Sequence, residues 1–258
     1  LPPMSKKEMT IAIGFEARKY IPLPLSELVL DWQLMNKESP KEKNKILVMA
    51  VPKVIVEQYK IIAEQSGLEL TALEAEAMAL KRAVIKPNDP STCLLDMGFQ
   101  STNINIVDEG FMKMSSSFDV AGKDLTYGLS ETLNITVGEA EKIKREEGLI
   151  DNGEIKVSHI LTPILSIISE KTKTVIKDFE TKEGKKVGKV ILAGGTSMLP
   201  GIKEYFEKIL NQEASQNLIV EIAEPFKSII YPAALEKKMK EINANYAIAL
   251  GEALRKFE

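Results

Sequence analysis

The chain has 258 residues, 44% of them hydrophobic and 28% charged, with a formal net charge of −3; this fits one large or two ordinary globular domains and leaves no basic footprint for nucleic acid. A single cysteine, Cys93, and a single histidine, His159, exclude an internal disulfide and a histidine-built metal site, and suit a reducing compartment. No apolar run approaches the ~18 residues of a membrane span, and no secretory leader is recognisable.

Leu1-Pro2-Pro3 reads as the exit from a preceding strand, so the chain is expected to be the C-terminal part of a longer protein. Residues 5–20 predict a helix, with Ser5 as N-cap and Glu8 three positions on in capping-box spacing. LVLDWQLM alternates as a strand with Leu28, Leu30, Trp32 and Leu34 on one face. After a polar link at 36–45, KILVMAV is a short buried-type strand stopped by Pro52. VIVEQYKIIAEQS is a helix whose Ile55, Tyr59 and Ile62 share a face, with Gly67 as its stop. LELTAL is expected as a brief strand and EAEAMALKRAV as a high-propensity helix. The result is an αββαβα block over 4–84.

From Cys93 the pattern changes. Strands at 93–97, 102–107 and 110–118 follow in quick succession, as in a meander. Helices are expected over KDLTYGLSETLN, VGEAEKIKREEG and about 155–180, with Thr162-Pro163 as a start or a kink. Strand GKVILAGG, helix SMLPGIKEYFEKIL, strand NLIVEIA and helix ANYAIALGEALRKF complete an α/β domain over 91–258. Trp32 and Cys93 are read as core, and His159 as a helix-surface residue.

Four short stretches could carry chemistry. Asp96-x-Gly98-x-x-x-Thr102 sits in a tight bend between strands, either an ordinary hairpin or a grip for phosphate and metal. Asp119-Val120-Ala121-Gly122 ends a strand where a helix begins, and free N–H groups at such a start can meet phosphate. Glu141 and Lys144 are three apart on one helix face, either a surface pair or a ribose-facing one. Gly194-Gly195 lets backbone approach a flat or charged ligand, or simply makes a tight loop.

In order, LLDMGFQSTNINIV, FDVAGKDLT, GEAEKIKREEG and VILAGGTSMLPGI resemble the motifs of the actin/Hsp70/sugar-kinase ATPase superfamily. The αββαβα block ahead of them resembles the inserted subdomain of FtsA-like proteins. LPPMSKKEMTIAIGFEARKYIPLPLSELVLDWQLM and the closing ANYAIALGEALRKF are similar to the type IV pilus assembly protein PilM family. The resemblance implies an α/β, actin-like (ribonuclease H-like) fold with a 4–84 partner-binding subdomain and a 91–258 lobe for ATP and Mg²⁺. An Asp-x-Gly hairpin that opens family members is not in this sequence, so half of the phosphate grip is expected here.

By that resemblance Asp96 would act on Mg²⁺ through bound water, and Gly98, Thr102 and Gly122 would give N–H or hydroxyl contacts to phosphates. Glu141 and Lys144 would face ribose and base, and Gly194, Gly195 and Met198 would line the adenine side. No catalytic base is recognised, so ATP is expected to lock two lobes together rather than turn over rapidly. The implied partner is the cytoplasmic N-terminus of an inner-membrane PilN-type protein, which places the chain in the cytoplasm beside that membrane. An exposed apolar face on 4–84, with self-association through it, is a further expectation. Two alternatives share the fold: an FtsA-like filament protein, which the tail IALGEALRKFE does not favour because it offers no basic amphipathic helix, and a small-molecule kinase.

Overall fold

The first helix begins where the sequence places a capping box. In the computed structural model, which describes residues 1–2, 4–35, 44–150, 156–212 and 217–255, Glu8 Oε2 accepts from the Ser5 amide at 2.8 Å and Ser5 Oγ accepts from the Glu8 amide. Helix α1 (Lys6–Ala17) then buries Met9, Ile13 and Ala17, spaced four apart along one face. The chain divides into two compact units, Leu1–Glu74 and Ala75–Glu258.

In the first unit β1 (Leu28–Leu34) pairs antiparallel with β2 (Ile46–Pro52), in register from Leu28↔Pro52 to Leu34↔Ile46. The expected face holds: Leu28 is buried and Leu30, Trp32 and Leu34 are half-buried, while the residues between them are exposed. Helix α2 (Lys53–Gln65) starts at Pro52 and is followed by Gly67 at φ +67°. Ile55, Tyr59 and Ile62, read as sharing a face, are exposed, and Val56 and Ala63 are half-buried. The strand expected over LELTAL is not formed; residues 68–75 have no ladder partner among the described residues, and Leu68, Leu70 and Leu73 stand exposed. Most of the polar link at 36–45 lies outside the described residues.

The second unit opens with α3 (Glu76–Val84), which the 4–84 boundary had placed with the first block. Strands β3 (Thr92–Met97), β4 (Thr102–Asp108) and β5 (Phe111–Phe118) form the expected antiparallel meander. Helices α4 (Gly122–Leu133), α5 (Val137–Glu147) and α6 (Val157–Glu183) follow. The α6 helix runs through Pro163 rather than starting there. Next come β6 (Lys189–Ala193), α7 (Ile202–Asn211), β7 (Ile219–Ile222), α8 (Glu236–Ile242) and α9 (Ala247–Ala253). The sheet order is β5-β4-β3-β6-β7, with β6 parallel to both β3 and β7. Helix α3 packs along α9 so closely that a Cβ on Gly251 would overlap the Ala79 carbonyl.

One face of the sheet supplies Cys93, Leu95, Met97, Ile104 and Ile106 to a core completed by Leu125 and Leu129 of α4, Leu161, Leu165, Ile168 and Phe179 of α6, and Phe206 of α7. Cys93 is inert there, its thiol pushed up to about 12 by burial. His159 is exposed, as read. Two helices are shorter than the sequence suggests. SMLPGIKEYFEKIL breaks at Pro200-Gly201, with a 3-10 turn over Gly195–Met198 before α7. ANYAIALGEALRKF divides into a 3-10 turn at Ala244–Tyr246 and α9, and its last residues, 256–258, lie outside the described set. Among the described residues no helix is long and apolar enough to cross a membrane.

Candidate functional site

All four sequence stretches converge on one cleft of about 300 Å³ within the second unit. Six of the singled-out residues line it: Gly98, Gly122, Glu141, Lys144, Gly195 and Met198. They come from the β3–β4 hairpin, the start of α4, one face of α5 and the turn after β6. Parallel pairing of β3 with β6 explains why the first and last of these meet. Asp96 lies opposite Ala193 in the register, so both loops leave the same end of the sheet.

Glycine is required at two of these places for different reasons. Gly194 has φ +79°, and a Cβ there would stand 2.6 Å from Asp96 Oδ1 and from the Met97 carbonyl. Gly122 is an approach glycine: a Cβ would lie 2.9 Å from Thr196 Oγ1 and 3.0 Å from the Gly98 carbonyl. Across that contact the Gly122 amide donates to Gly98 O at 3.0 Å and the Lys123 amide to Phe99 O at 2.9 Å. The start of α4 is thus sewn to the hairpin.

Several expected contacts are placed differently by the structure. The Gly122 N–H, expected to meet phosphate, is taken by the hairpin carbonyl, and the Gly98 N–H by Ser101 O at 3.1 Å. Thr102 is fully buried and its hydroxyl donates to Val120 O at 2.7 Å, so it braces the strands instead of facing the cleft. Asp96 and Gly194 are not among the residues that line the cleft. Asp96 is 6% exposed, and its carboxyl is pushed up to about 6, first by burial and then by the charge of Glu76, against a hydrogen bond from Asn103.

The α5 pair is not an ordinary surface pair. Glu141 Oε2 lies 2.6 Å from Lys144 Nζ and accepts from the Thr126 hydroxyl at 2.6 Å, while Arg145 Nε donates to Oε1 at 2.7 Å. Burial pushes the Glu141 carboxyl up, but these three donors outweigh it and hold it below the usual range. Burial draws the Lys144 ammonium below the usual lysine range, more than Glu141 raises it. Phe99, Arg145, Thr196, Leu199, Glu241 and Asn245 also line the cleft. Arg145 and Thr196 adjoin motifs already singled out; Asn245 falls in the closing ANYAIALGEALRKF, which carried no ligand reading, and no site motif covers Glu241.

The chemistry available is that of a binding site: close-approach glycines, an anchored carboxylate and mixed polar and apolar walls. Among the described residues no group of three or more His, Cys, Asp or Glu side chains could hold a metal. A hydrated Mg²⁺ that takes most of its ligands from water and phosphate needs only one carboxylate, and Asp96, near the C-terminal end of β3 from which the hairpin loop leaves, is the one the sequence offers for it.

The family model for type IV pilus assembly protein PilM matches residues 3–257. The chain belongs to the PilM family. A solved PilM-PilN type IV pilus biogenesis complex superposes with TM-score 0.84 at 24% identity, over 99% of this chain and 74% of that one. MreB5 of Spiroplasma citri bound to ADP gives TM-score 0.56 at 20% identity, over 79% of this chain and 65% of that one. Together with the sheet order these place the PilM-family chain in the actin-like ATPase fold. Cell division protein FtsA of Enterococcus faecalis is 25% identical over 198 residues, 67% of this chain and 44% of that protein. The chain spans about half the length of the curated relatives it matches.

Proposed function

We propose that this chain is the nucleotide-binding part of a PilM-type scaffold for type IV pilus assembly, working in the cytoplasm against a PilN-type inner-membrane protein. The observation that carries the nucleotide half is the convergence of four separate stretches on one cleft, with Gly122 and Gly194 held where no Cβ fits. Glu141 suits the ribose, because its side chain keeps 29% exposure and its carboxylate is fixed in place. Gly195 and Met198 offer a flat, partly apolar wall for adenine. Asp96 would hold Mg²⁺ through water at the phosphate end. When bound, that cation would neutralise phosphate charge. The carboxylates in the cleft lining are Glu141, held by three donors, and Glu241, and the role assigned to ATP is to lock the two lobes together.

The partner half rests on the likeness to the PilM-PilN complex over 99% of this chain. The first unit, Leu1–Glu74, is the proposed seat of the partner's N-terminal peptide. The match to the pilus family model over residues 3–257 favours this reading over a cell-division role.

Calorimetry with Mg-ATP tests the first half: micromolar binding is expected, and weakening in Asp96→Asn. A wild-type chain that gives no heat with ATP overturns it. Fluorescence anisotropy with a labelled PilN N-terminal peptide tests the second, and unchanged anisotropy at saturating protein overturns that.

A further inference from the structure

Lys144 was expected to face the ribose, yet its ammonium is spent inside the protein. Nζ donates to the Gly122 carbonyl at 3.1 Å, to the Thr126 hydroxyl at 2.8 Å and to Glu141 Oε2 at 2.6 Å. An ammonium carries three hydrogens, and these acceptors use all three. The side chain is only 6% exposed. Its neighbour Arg145, by contrast, is 75% exposed with one nitrogen on Glu141.

We infer that Lys144 is a positioning residue that fixes the spacing between the base side and the phosphate side of the cleft, and that it makes no ligand contact itself. The inference rests on the nucleotide reading above. Its physical content is a continuous path of hydrogen bonds. Lys144 on α5 holds the carbonyl of Gly122. The Gly122 amide holds Gly98 O at 3.0 Å, and Thr196 Oγ1 reaches the same carbonyl at 3.4 Å. One ammonium therefore ties α5 to the α4 start, and through it to the hairpin after β3 and the turn after β6. The absence of room for a Cβ at Gly122 keeps that path short.

Removing the ammonium frees the Gly122 turn, which belongs to the phosphate side. Glu141 loses one of its three donors but is still held by Thr126 and Arg145, and with Gly195 and Met198 it stays to meet a nucleoside. A phosphate-bearing ligand therefore suffers more than its nucleoside.

The test is calorimetry on the full chain with Mg-ADP and with adenosine, for wild type and Lys144→Met. The variant is expected to weaken ADP by roughly tenfold or more, the size of a lost charged hydrogen bond, and adenosine by less than about threefold. Equal losses for the two ligands overturn the inference and leave the nucleotide reading standing. A wild type that binds neither ligand overturns both. Because truncating a buried lysine can unfold the α4–α5 pair, a measurement on the wild type stands beside it. Three internal acceptors require a slowly exchanging Lys144 ammonium signal in ¹⁵N NMR of the ligand-free chain, assigned by its loss in Lys144→Arg, and unmoved by adenosine. Exchange as fast as that of the surface lysines, or a shift on adding adenosine, overturns the inference.

Discussion

In Leu1–Glu74 helix α1 buries Met9, Ile13 and Ala17 beside a two-stranded ladder, whereas α2, which also packs on that ladder, buries no side chain fully. In Ala75–Glu258 five strands carry a face of fully buried residues under α4, α6 and α7. The amino acids do not explain the contrast, for α2 alone offers Val54, Ile55, Tyr59, Ile61 and Ile62, all exposed. What differs is the number of layers available to cover an apolar face. A two-stranded ladder is marginal by itself, whereas a five-stranded sheet gives α6 a surface to bury along most of its length. The candidate cleft sits on the well-covered unit, where its loops are held from behind. The proposed partner surface sits on the sparsely covered one.

The sharpest way to break this contrast is to hollow the second unit. Phe179 is fully buried near the C-terminal end of α6. Phe179→Ala is expected to cost about 3–5 kcal/mol in urea unfolding followed by tryptophan-independent far-UV signal. A loss below about 1 kcal/mol would mean that the core around α6 re-closes and that the contrast in packing is weaker than burial suggests.

A polar cluster at the opposite end of β4 makes a smaller and pH-dependent contribution. Asp108 is 5% exposed, with Lys185 Nζ on Oδ2 and Ser91 Oγ on Oδ1, both at 2.7 Å. Burial pushes its carboxyl up, but the hydrogen bonds from Lys185 and Ser91 outweigh burial and hold it below the usual range. A group whose folded pKa is depressed stabilises above its unfolded pKa, and that stability is lost as pH falls through the folded value. Asp108→Asn is expected to lose about 1–3 kcal/mol at neutral pH. The gap to wild type should close below about pH 4, the ordinary carboxylate range. A gap constant from neutral pH into acid would assign the effect to packing alone.

Much of the second unit was legible because each strand carries its own signal. Cys93-Leu94-Leu95 and Val190-Ile191-Leu192-Ala193 are continuous apolar runs, as strands covered on both faces carry, and the glycines that follow mark the loops. The αββα part of the first block was legible for the same local reasons. What failed depended on distant partners. LELTAL has strand-like alternation but no neighbour to pair with, and α3 is assigned by Gly251, far along the chain. The cleft follows the same division. Gly98, Gly122 and Gly195 announce themselves as breaks between elements, whereas Glu241 and Asn245 reach the cleft only through the fold. Lys144 shows the same limit, because a charged pair three apart on a helix looks the same in sequence whether it faces a ligand or three internal acceptors.

Within the first unit the comparison predicts that local backbone chemistry matters more than side-chain burial on α2. The Ser5 cap closes a reciprocal box with Glu8, whose carboxyl is held below its usual range by the Ser5 side chain and amide. Ser5→Ala is expected to cost about 1 kcal/mol, read by hydrogen exchange in the first turn of α1. Unchanged exchange there would show that α1 is held by Met9, Ile13 and Ala17 alone.

The smallest stability effect is expected where apolar residues are most conspicuous. Ile62 on α2 is 59% exposed and Tyr59 is 53% exposed, so Ile62→Ser removes little burial and should change stability by less than about 0.5 kcal/mol. The same substitution should act on association, because an exposed apolar stripe of this kind favours contact between molecules. Sedimentation of the wild type at high concentration is expected to show self-association that Ile62→Ser reduces. A strictly monomeric wild type would remove self-association through this face. A large stability loss in Ile62→Ser would instead show that α2 is packed in solution, and that the two units are covered more equally than their exposed residues indicate.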